Sequence, residues 1–197
     1  AFSSSPPVGR SGAPGDGLCT SCHSNNAGFD GSISISGIPS DPVPNTTYSV
    51  TVDVNVSSGS PARGGFQLVA LDASNDNQAG SWSNTGSASS IKMGGSRQYW
   101  GHAPAQNFSG GSISFDADWT APNISDDIIF YVSAILGNGS GSSGDKMLVT
   151  TEQVTITGSM PIIVDLSMTE VTCNDGNNGT ASVTASGGAP PYEYLWS

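Results

Sequence analysis

The feature of this sequence that most restricts its fold is a strict alternation of apolar and polar residues. Apolar side chains occupy every second position in residues 48–56 and again in residues 113–119. A period of two places apolar side chains on one face of a strand and polar ones on the other. No 3.6-residue apolar stripe occurs, and further strands are expected at residues 65–71, 98–102, 128–136 and 147–156. The sequence therefore predicts an all-β, immunoglobulin-like β-sandwich.

The chain divides by its patterning into three segments. Residues 1–30 are rich in Gly, Pro and Ser without any period, which indicates a loop region. Residues 31–158 carry the strands of the sandwich. The pattern then restarts in residues 159–197, with strands expected at 162–168, 180–185 and 192–196. A unit of about 40 residues is too small to stand as a sandwich domain, so we interpret it as the beginning of a longer repeat array.

Charge and hydropathy exclude two classes of partner. The chain has 5 Lys plus Arg against 16 Asp plus Glu, a net charge of -11. Such a chain repels phosphate backbones and anionic lipids, so nucleic acid is not an expected partner. No apolar run approaches the roughly 18 residues that cross a bilayer, so no membrane insertion is expected. The first residues, Ala-Phe-Ser-Ser-Ser, resemble a processed signal-peptide site, which predicts export through the periplasm to an extracellular or cell-surface location.

The pentapeptide Cys19-Thr-Ser-Cys22-His23 is the strongest chemical signal in the chain. Its spacing allows two thiols to form thioethers with the vinyl groups of haem while the next residue ligates iron. The flanking residues contain no helix formers, so the haem is expected on a loop. The motif predicts one covalent haem c, held by Cys19 and Cys22, with His23 as an axial iron ligand.

Two alternatives for the cysteine pair stay open at the level of sequence. A Cys-x-x-Cys pair also serves as a redox dithiol or as half of a zinc site. The first use needs a βαβ context, which the patterning does not provide. The second needs two more ligands, and Cys173 and His102 are the available ones. Because the chain has 3 Cys and 2 His, covalent haem is the favoured interpretation.

A second axial ligand has to come from a distant part of the chain. His102 is the predicted ligand, since it is the only other histidine. It lies near Tyr99 and Trp100, whose aromatic rings are suited to covering a porphyrin face. A structural role for His102, and ligation by Met93, are the alternatives. The chain also contains three further methionines, Met147, Met160 and Met168.

Residues 11–24, SGAPGDGLCTSCHS, resemble the opening of the Reeler-like domain called choice-of-anchor V, found in secreted proteins of Bacteroidetes and relatives. Later landmarks that match are residues 65–68, 70–72, Tyr99 with His102, 119–122, 130–131 and 144–145. The resemblance implies an immunoglobulin-like sandwich and carries the haem-type motif onto Cys19, Cys22 and His23. It does not identify the sixth iron ligand.

Residues 171–180, VTCNDGNNGT, and 186–197, SGGAPPYEYLWS, are similar to the start of the SprB repeat of gliding-bacterium adhesins. This resemblance covers only the end of the chain. It implies a large cell-surface protein that is exported by the type IX secretion system.

Other signals are weaker. Residues 72–77 and 174–178 form oxygen-rich loops that are candidates for calcium, although neither ends in the bidentate Glu of a full ligand set. Plain turn chemistry is the alternative. Neither a Ser-His-Asp triad nor a carboxylate pair is supported, so the chain is not expected to be an enzyme.

Two functions from different classes follow. In the first, a six-coordinate haem transfers single electrons to and from a redox partner that the sequence does not identify. In the second, the chain is an adhesin or filament-forming module in which haem mainly stabilises the fold. Further copies of the chain, or following repeats, are then the expected partners. A five-coordinate haem with peroxidase-like or gas-binding chemistry is a minor third alternative.

Overall fold

Antiparallel strands make up nearly all of the regular structure. The computed structural model describes residues 4–25, 28–158, 162–171, 177–186 and 192–196. The chain forms two compact units, Ala1–Thr157 and Gly158–Ser197. Within the described residues the only helical element is the 3-10 turn Cys19–Ser21, and no helix is long and apolar enough to cross a bilayer.

The first unit contains ten strands among its described residues. These are β1 (Asp30–Ser36), β2 (Thr47–Ser58), β3 (Arg63–Asp72), β4 (Ser81–Ser83), β5 (Ser89–Gly94), β6 (Arg97–His102), β7 (Gln106–Asn107), β8 (Ser112–Thr120), β9 (Asp127–Gly137) and β10 (Lys146–Thr155). One sheet has the order β1-β2-β8-β4, and the other has the order β10-β9-β3-β6-β5 with β7 paired to β3. The predicted all-β sandwich is confirmed.

The core lies between the two sheets. On β2 the alternating valines Val50, Val52 and Val54 have no solvent exposure, whereas the polar residues between them face outward. Phe66 packs edge-on against Trp100 at 4.9 Å and faces Phe115 of the opposite sheet at 4.5 Å, between ring centroids. Each large side chain buried in this way contributes about 1.5–3 kcal/mol to folding. The period of two therefore does what the sequence predicts, directing one face of each strand inward.

Strand β3 departs from alternation, because residues 64–72 are buried on both faces. Its outward side chains Val69 and Leu71 pack with Tyr99 and with Ala13 of the N-terminal segment. We call residues 4–25 the N-terminal segment from here on. It lies on the outer face of the six-stranded sheet, which explains why a loop region without period is ordered there.

Three strands of the first unit were not expected, namely β4, β5 and β7. Strand β5 forms a hairpin with β6 through Gly95-Ser96, and Gly95 has a φ of 65°. Two-residue hairpin loops favour positive φ, so this Gly-Ser pair was the available signal. β4 and β7 have three and two residues, which is too short for alternation to be read.

The second unit consists of a hairpin of β11 (Ile163–Thr169) and β12 (Thr180–Ser186), in register from Ile163↔Ser186 to Thr169↔Thr180. These two strands confirm the pattern expected for residues 162–168 and 180–185. The strand expected at residues 192–196 is wrong, since these residues form no strand. Leu195 is 99% exposed there, so no sheet face is present against which an alternating pattern would be buried.

Candidate functional site

The Cys-x-x-Cys-His motif forms a tight turn. Leu18 is extended, and the 3-10 helix Cys19–Ser21 follows it directly. The N–H groups of Cys22 and His23 both donate to the carbonyl of Cys19, at 3.1 and 3.0 Å. The motif therefore sits on a loop, as its flanking residues predict.

Buried polar groups fix the N-terminal segment onto the six-stranded sheet. Gln67 of β3 is 1% exposed; its Oε1 accepts from the Arg10 N–H at 2.6 Å, and its Nε2 donates to the carbonyl of Pro7 at 2.9 Å. Ser133 of β9 is fully buried, and its hydroxyl donates to the carbonyl of Arg10 at 2.5 Å. The same hydroxyl lies 3.1 Å from Cys19 Sγ. The polar side chains of two central strands thus position the motif.

His23 is held by a buried carboxylate. Its Nδ1 lies 2.5 Å from Oδ2 of Asp145, which is 2% exposed and directly precedes β10. The other oxygen, Oδ1, accepts from the N–H of Asn138 at 3.0 Å. Ser24 extends the attachment, since its N–H donates to the carbonyl of Ser142 at 2.8 Å. A carboxylate at this distance accepts the Nδ1 proton, which leaves Nε2 as the nitrogen able to ligate a metal.

His102 lies at the end of β6, where this strand separates from β3. Its Nδ1 is 3.1 Å from the N–H nitrogen and 3.2 Å from the carbonyl oxygen of Phe66. The imidazole covers Gly65, where an added Cβ would lie 2.3 Å from Nδ1. The absence of a side chain at Gly65 makes room for this ring. Ligation through Nε2 corresponds to the tautomer in which Nδ1–H donates to the Phe66 carbonyl.

A cavity of 260 Å³ brings the predicted ligands together. Cys19, Cys22, His23 and His102 all line it, although His102 is far from the others in sequence. The start of β3, the end of β9 and the loop before β10 form the remaining walls. Both histidines of the chain and both cysteines of the motif therefore meet at one place on the outer face of the six-stranded sheet.

The structure does not bring Tyr99 and Trp100 to this cavity. Trp100 has no exposure, packs at 4.9 Å on Trp82 between the sheets, and donates from Nε1 to the hydroxyl of Ser89 at 2.9 Å. Tyr99 points to the opposite face of β6, where its hydroxyl donates to Asp16 at 2.8 Å. The expectation that these rings cover a porphyrin face is corrected in this respect, because Trp100 lies in the core between the sheets and Tyr99, on the outer face, packs with Val69 and Leu71 outside the cavity lining.

Among the described residues, no methionine lines the cavity. Met93 is 60% exposed on β5, and Met168 is 76% exposed in the second unit. Met147, the second residue of β10, pairs with Ile135, and Met160 lies outside the described residues. Of the candidates for a second axial ligand, His102 is the one that the described cavity contains.

The two thiols of the motif differ in their surroundings. Burial raises the pKa of the Cys19 thiol above its ordinary value, and the hydrogen bond with Ser133 opposes this only in part. Cys22 is exposed. Reactive dithiols have a lowered thiol pKa, because the thiolate is the nucleophile. The environment of Cys19 therefore does not fit an activated redox pair.

Two of the five basic residues of this acidic chain, Arg10 and Arg63, line the cavity. Arg10 Nε is buried and has no hydrogen-bond partner among the described residues, while its Nη1 donates to the carbonyl of Gly9 at 3.1 Å. Arg63 is exposed, with Nε donating to Asn107 at 3.0 Å. An unsatisfied guanidinium nitrogen beside a cavity is a site for an acceptor such as a carboxylate.

Other metal sites receive little structural support. Among the described residues, no three His, Cys, Asp or Glu side chains are grouped so that they could hold one metal ion. In the loop at residues 72–77, the Asp72 carboxylate accepts from Ser74 and Asn75, and the Ser74 hydrogen bond is the main cause of its lowered pKa. These hydrogen bonds are those of an ordinary turn, which is the alternative to a calcium site. Of the second calcium candidate, residues 174–176 lie outside the described part of the chain, as does Cys173.

Comparison with known proteins agrees with the sequence for the second unit. The SprB repeat family matches residues 166–197. SprB repeats occur in surface-associated proteins, and the second unit is similar to them over these residues. No curated protein sequence matches the chain.

Solved structures similar to this chain are β domains of distant sequence. The Reelin-N domain of F-spondin has 18% identity and a TM-score of 0.48, covering 70% of this chain and 94% of that one. The human F-spondin reeler domain has 18% identity and a TM-score of 0.46, covering 68% and 94%. A cohesin module from a Clostridium perfringens family 33 glycoside hydrolase has 11% identity and a TM-score of 0.47, covering 66% and 98%.

Proposed function

We propose that this chain is an extracellular monohaem c-type cytochrome module of a cell-surface protein, and that it transfers single electrons. The observation that carries the proposal is the convergence of Cys19, Cys22, His23 and His102 on one cavity. A chain with 2 histidines places both of them beside its Cys-x-x-Cys pair. A histidine with a purely structural role has no reason to lie beside the Cys-x-x-Cys pair.

Different residues of the cavity would hold different parts of a haem. Cys19 and Cys22 would form the thioethers, and His23 and His102 would ligate the iron. Bound in this way, the haem supplies a one-electron couple between ferric and ferrous iron. With His23 and His102 both bound to iron, no coordination position would be open for substrate, which favours electron transfer over catalysis.

Arg10 is the residue that we assign to a haem propionate. Its Nε is buried and unsatisfied within the described structure, and a propionate carboxylate supplies the missing acceptor. Arg63 is a second cation at the same cavity. In a chain of net charge -11, these positive groups compensate the carboxylates that a haem introduces.

The alternatives for the motif have less support. A redox dithiol is disfavoured by the raised pKa of Cys19. A zinc site needs four converging donors, and no group of three is present among the described side chains. The SprB match is consistent with the predicted export through the periplasm to the cell surface by the type IX route.

A second candidate function is adhesion or filament formation, with haem mainly stabilising the fold. The observation in its favour is the second unit, where an SprB match coincides with exposed apolar side chains such as Leu166 and Met168. Following repeats or further copies of the chain would cover such a surface. Under this alternative the haem is redox-silent in the cell.

Absorption spectra and electrochemistry test the proposal. The chain is produced together with a c-type haem maturation system and purified from the periplasm. We expect a low-spin haem in both oxidation states and a reversible one-electron couple at an electrode. A high-spin spectrum would favour the five-coordinate alternative, and an iron that does not exchange electrons would favour the structural role. A colourless protein with two free thiols would contradict the proposal.

A further inference from the structure

We propose that Asp145 is a positioning residue for His23, which fixes the tautomer of the ring and lowers the reduction potential of the iron that His23 ligates. The inference rests on the proposed function, because it concerns the same haem. It assigns to the loop between β9 and β10 the role of setting the driving force for electron transfer.

The contact between the two side chains is short and shielded from water. His23 Nδ1 and Asp145 Oδ2 are 2.5 Å apart, and the side chains are 20% and 3% exposed. Among the described residues, Asp145 forms one ion pair, which is this pair with His23. A charge-assisted hydrogen bond of this length, in a poorly hydrated place, is stronger than a neutral one.

The carboxylate is itself held in position. Its Oδ1 accepts from the Asn138 N–H at 3.0 Å, and Asn138 Nδ2 donates to the carbonyl of Ser143 at 2.8 Å. Asn138, at the start of the loop, is thus bonded both to Ser143 and to Asp145 at its end. A carboxylate fixed in this way keeps Oδ2 aimed at His23 Nδ1.

The electronic consequence follows from where the proton lies. An anionic acceptor at Nδ1 draws the proton away and increases the electron density at Nε2, which makes the imidazole a stronger donor to iron. A stronger donor stabilises ferric over ferrous iron, and hydrogen bonding around an axial ligand is one of the levers that sets a haem potential. At His102, Nδ1 faces the backbone N–H and carbonyl of Phe66, whereas His23 Nδ1 faces the carboxylate of Asp145.

The test is the Asp145→Asn variant of the haem-loaded protein. Asn keeps the shape and an oxygen for the Asn138 N–H but removes the charge. We expect the midpoint potential to rise while the haem stays covalently bound. Asp116→Asn is the matched control: it removes one charge from β8 in the other sheet, and Asp116 does not line the cavity. A potential that moves no more in Asp145→Asn than in Asp116→Asn would overturn the inference.

A measurement that needs no change at Asp145 keeps the inference testable if that variant does not fold. In the reduced His102→Ala protein, resonance Raman spectroscopy reports the iron–His23 stretch. We expect a frequency typical of a histidine bonded to a carboxylate, and a frequency typical of a neutral histidine would overturn the inference. If haem is bound and either measurement gives the negative result, only the role of Asp145 is contradicted. If no haem is bound, the proposed function is contradicted as well.

Discussion

The two walls of the cavity that carry histidine are built in opposite ways. The N-terminal wall is irregular, and the 3-10 turn Cys19–Ser21 with the two residues that follow it carries Cys19, Cys22 and His23. The sheet wall is regular, and His102 ends strand β6 there. His23 has a buried carboxylate at Nδ1, whereas His102 has the backbone of Phe66. One wall is shaped by side-chain hydrogen bonds and the other by strand pairing.

This difference separates two tasks that the proposed haem binding requires. A loop can present three closely spaced groups at angles that a strand, with its alternating side chains, cannot provide. A residue at the end of a strand, such as His102, supplies one rigidly held side chain that is distant from the motif in sequence. The carboxylate of Asp145 selects the Nδ1–H tautomer of His23, while Phe66 presents both a donor and an acceptor to His102. Hence the N-terminal wall is expected to define attachment, and the sheet wall to complete ligation.

The largest expected effect is the removal of both thiols. The double variant Cys19→Ser with Cys22→Ser should lose all covalent haem, because no thioether can form, although both histidines are intact. Haem content is measured by in-gel haem staining after denaturation. Cys173→Ser, which removes the third cysteine of the chain, is the control and should stain like the parent. Covalent haem in the double variant would show that the N-terminal wall does not define attachment.

Replacing the ligand on the sheet wall should have a smaller effect. His102→Ala should keep the haem covalently bound and convert low-spin iron to high-spin or ligand-exchangeable iron, since one axial donor is lost. Absorption and electron paramagnetic resonance spectra report the change. Met93→Ala, at a 60% exposed position on β5, is the control. If His102→Ala leaves the spectrum unchanged, a methionine takes the sixth position and the assignment of the sheet wall fails.

Gly65→Ala should disturb the sheet wall without removing a ligand. The new Cβ would lie 2.3 Å from His102 Nδ1 and 2.5 Å from its Cε1, so the ring has to move. Overpacking of this kind costs about 1–3 kcal/mol. We expect that loss in chemical denaturation, together with a mixed-spin spectrum. Gly28→Ala, where nothing lies within 4 Å of the new Cβ, should change neither.

The smallest expected effect distinguishes the two thiols of haem-free protein. Burial raises the pKa of Cys19, so less thiolate is present at a given pH, and Cys22 is the exposed thiol. Iodoacetamide should therefore modify Cys22 first near neutral pH. Modification of Cys19 should increase only as the pH rises beyond about 8.5, the value of an ordinary thiol. Peptide mass spectrometry at several pH values measures this, and equal rates at neutral pH would contradict the half-buried position of Cys19.

The sequence predicts the sandwich and the ligands for a physical reason. The alternation of apolar and polar residues is a local pattern, so it indicates directly which side chains are buried. The Cys-x-x-Cys-His motif has a spacing that few chemistries need. The strands at residues 48–56 and 113–119 follow from the former, and Cys19, Cys22 and His23 from the latter. With one other histidine in the chain, His102 becomes a candidate by elimination alone.

Contacts made across the fold were beyond this reasoning. Asp145, Arg10 and Gly65 reach the cavity only after β3, β9 and the N-terminal segment come together, and no local period marks them. Their only signal was that Gly65 and Asp145 lie in the landmarks of the choice-of-anchor V resemblance. Trp100 illustrates the opposite error, since closeness to His102 in sequence suggested a covering ring, and strand alternation places it in the core.

The intact mass of the mature protein tests the central claim most directly. Protein matured with a c-type haem system is treated with acid acetone, which extracts non-covalent haem, and is then weighed by mass spectrometry. We predict one species, heavier than the polypeptide by one haem, with peptide mapping locating the added mass on Cys19 and Cys22. A mass equal to the bare polypeptide, with both thiols free, would contradict the account.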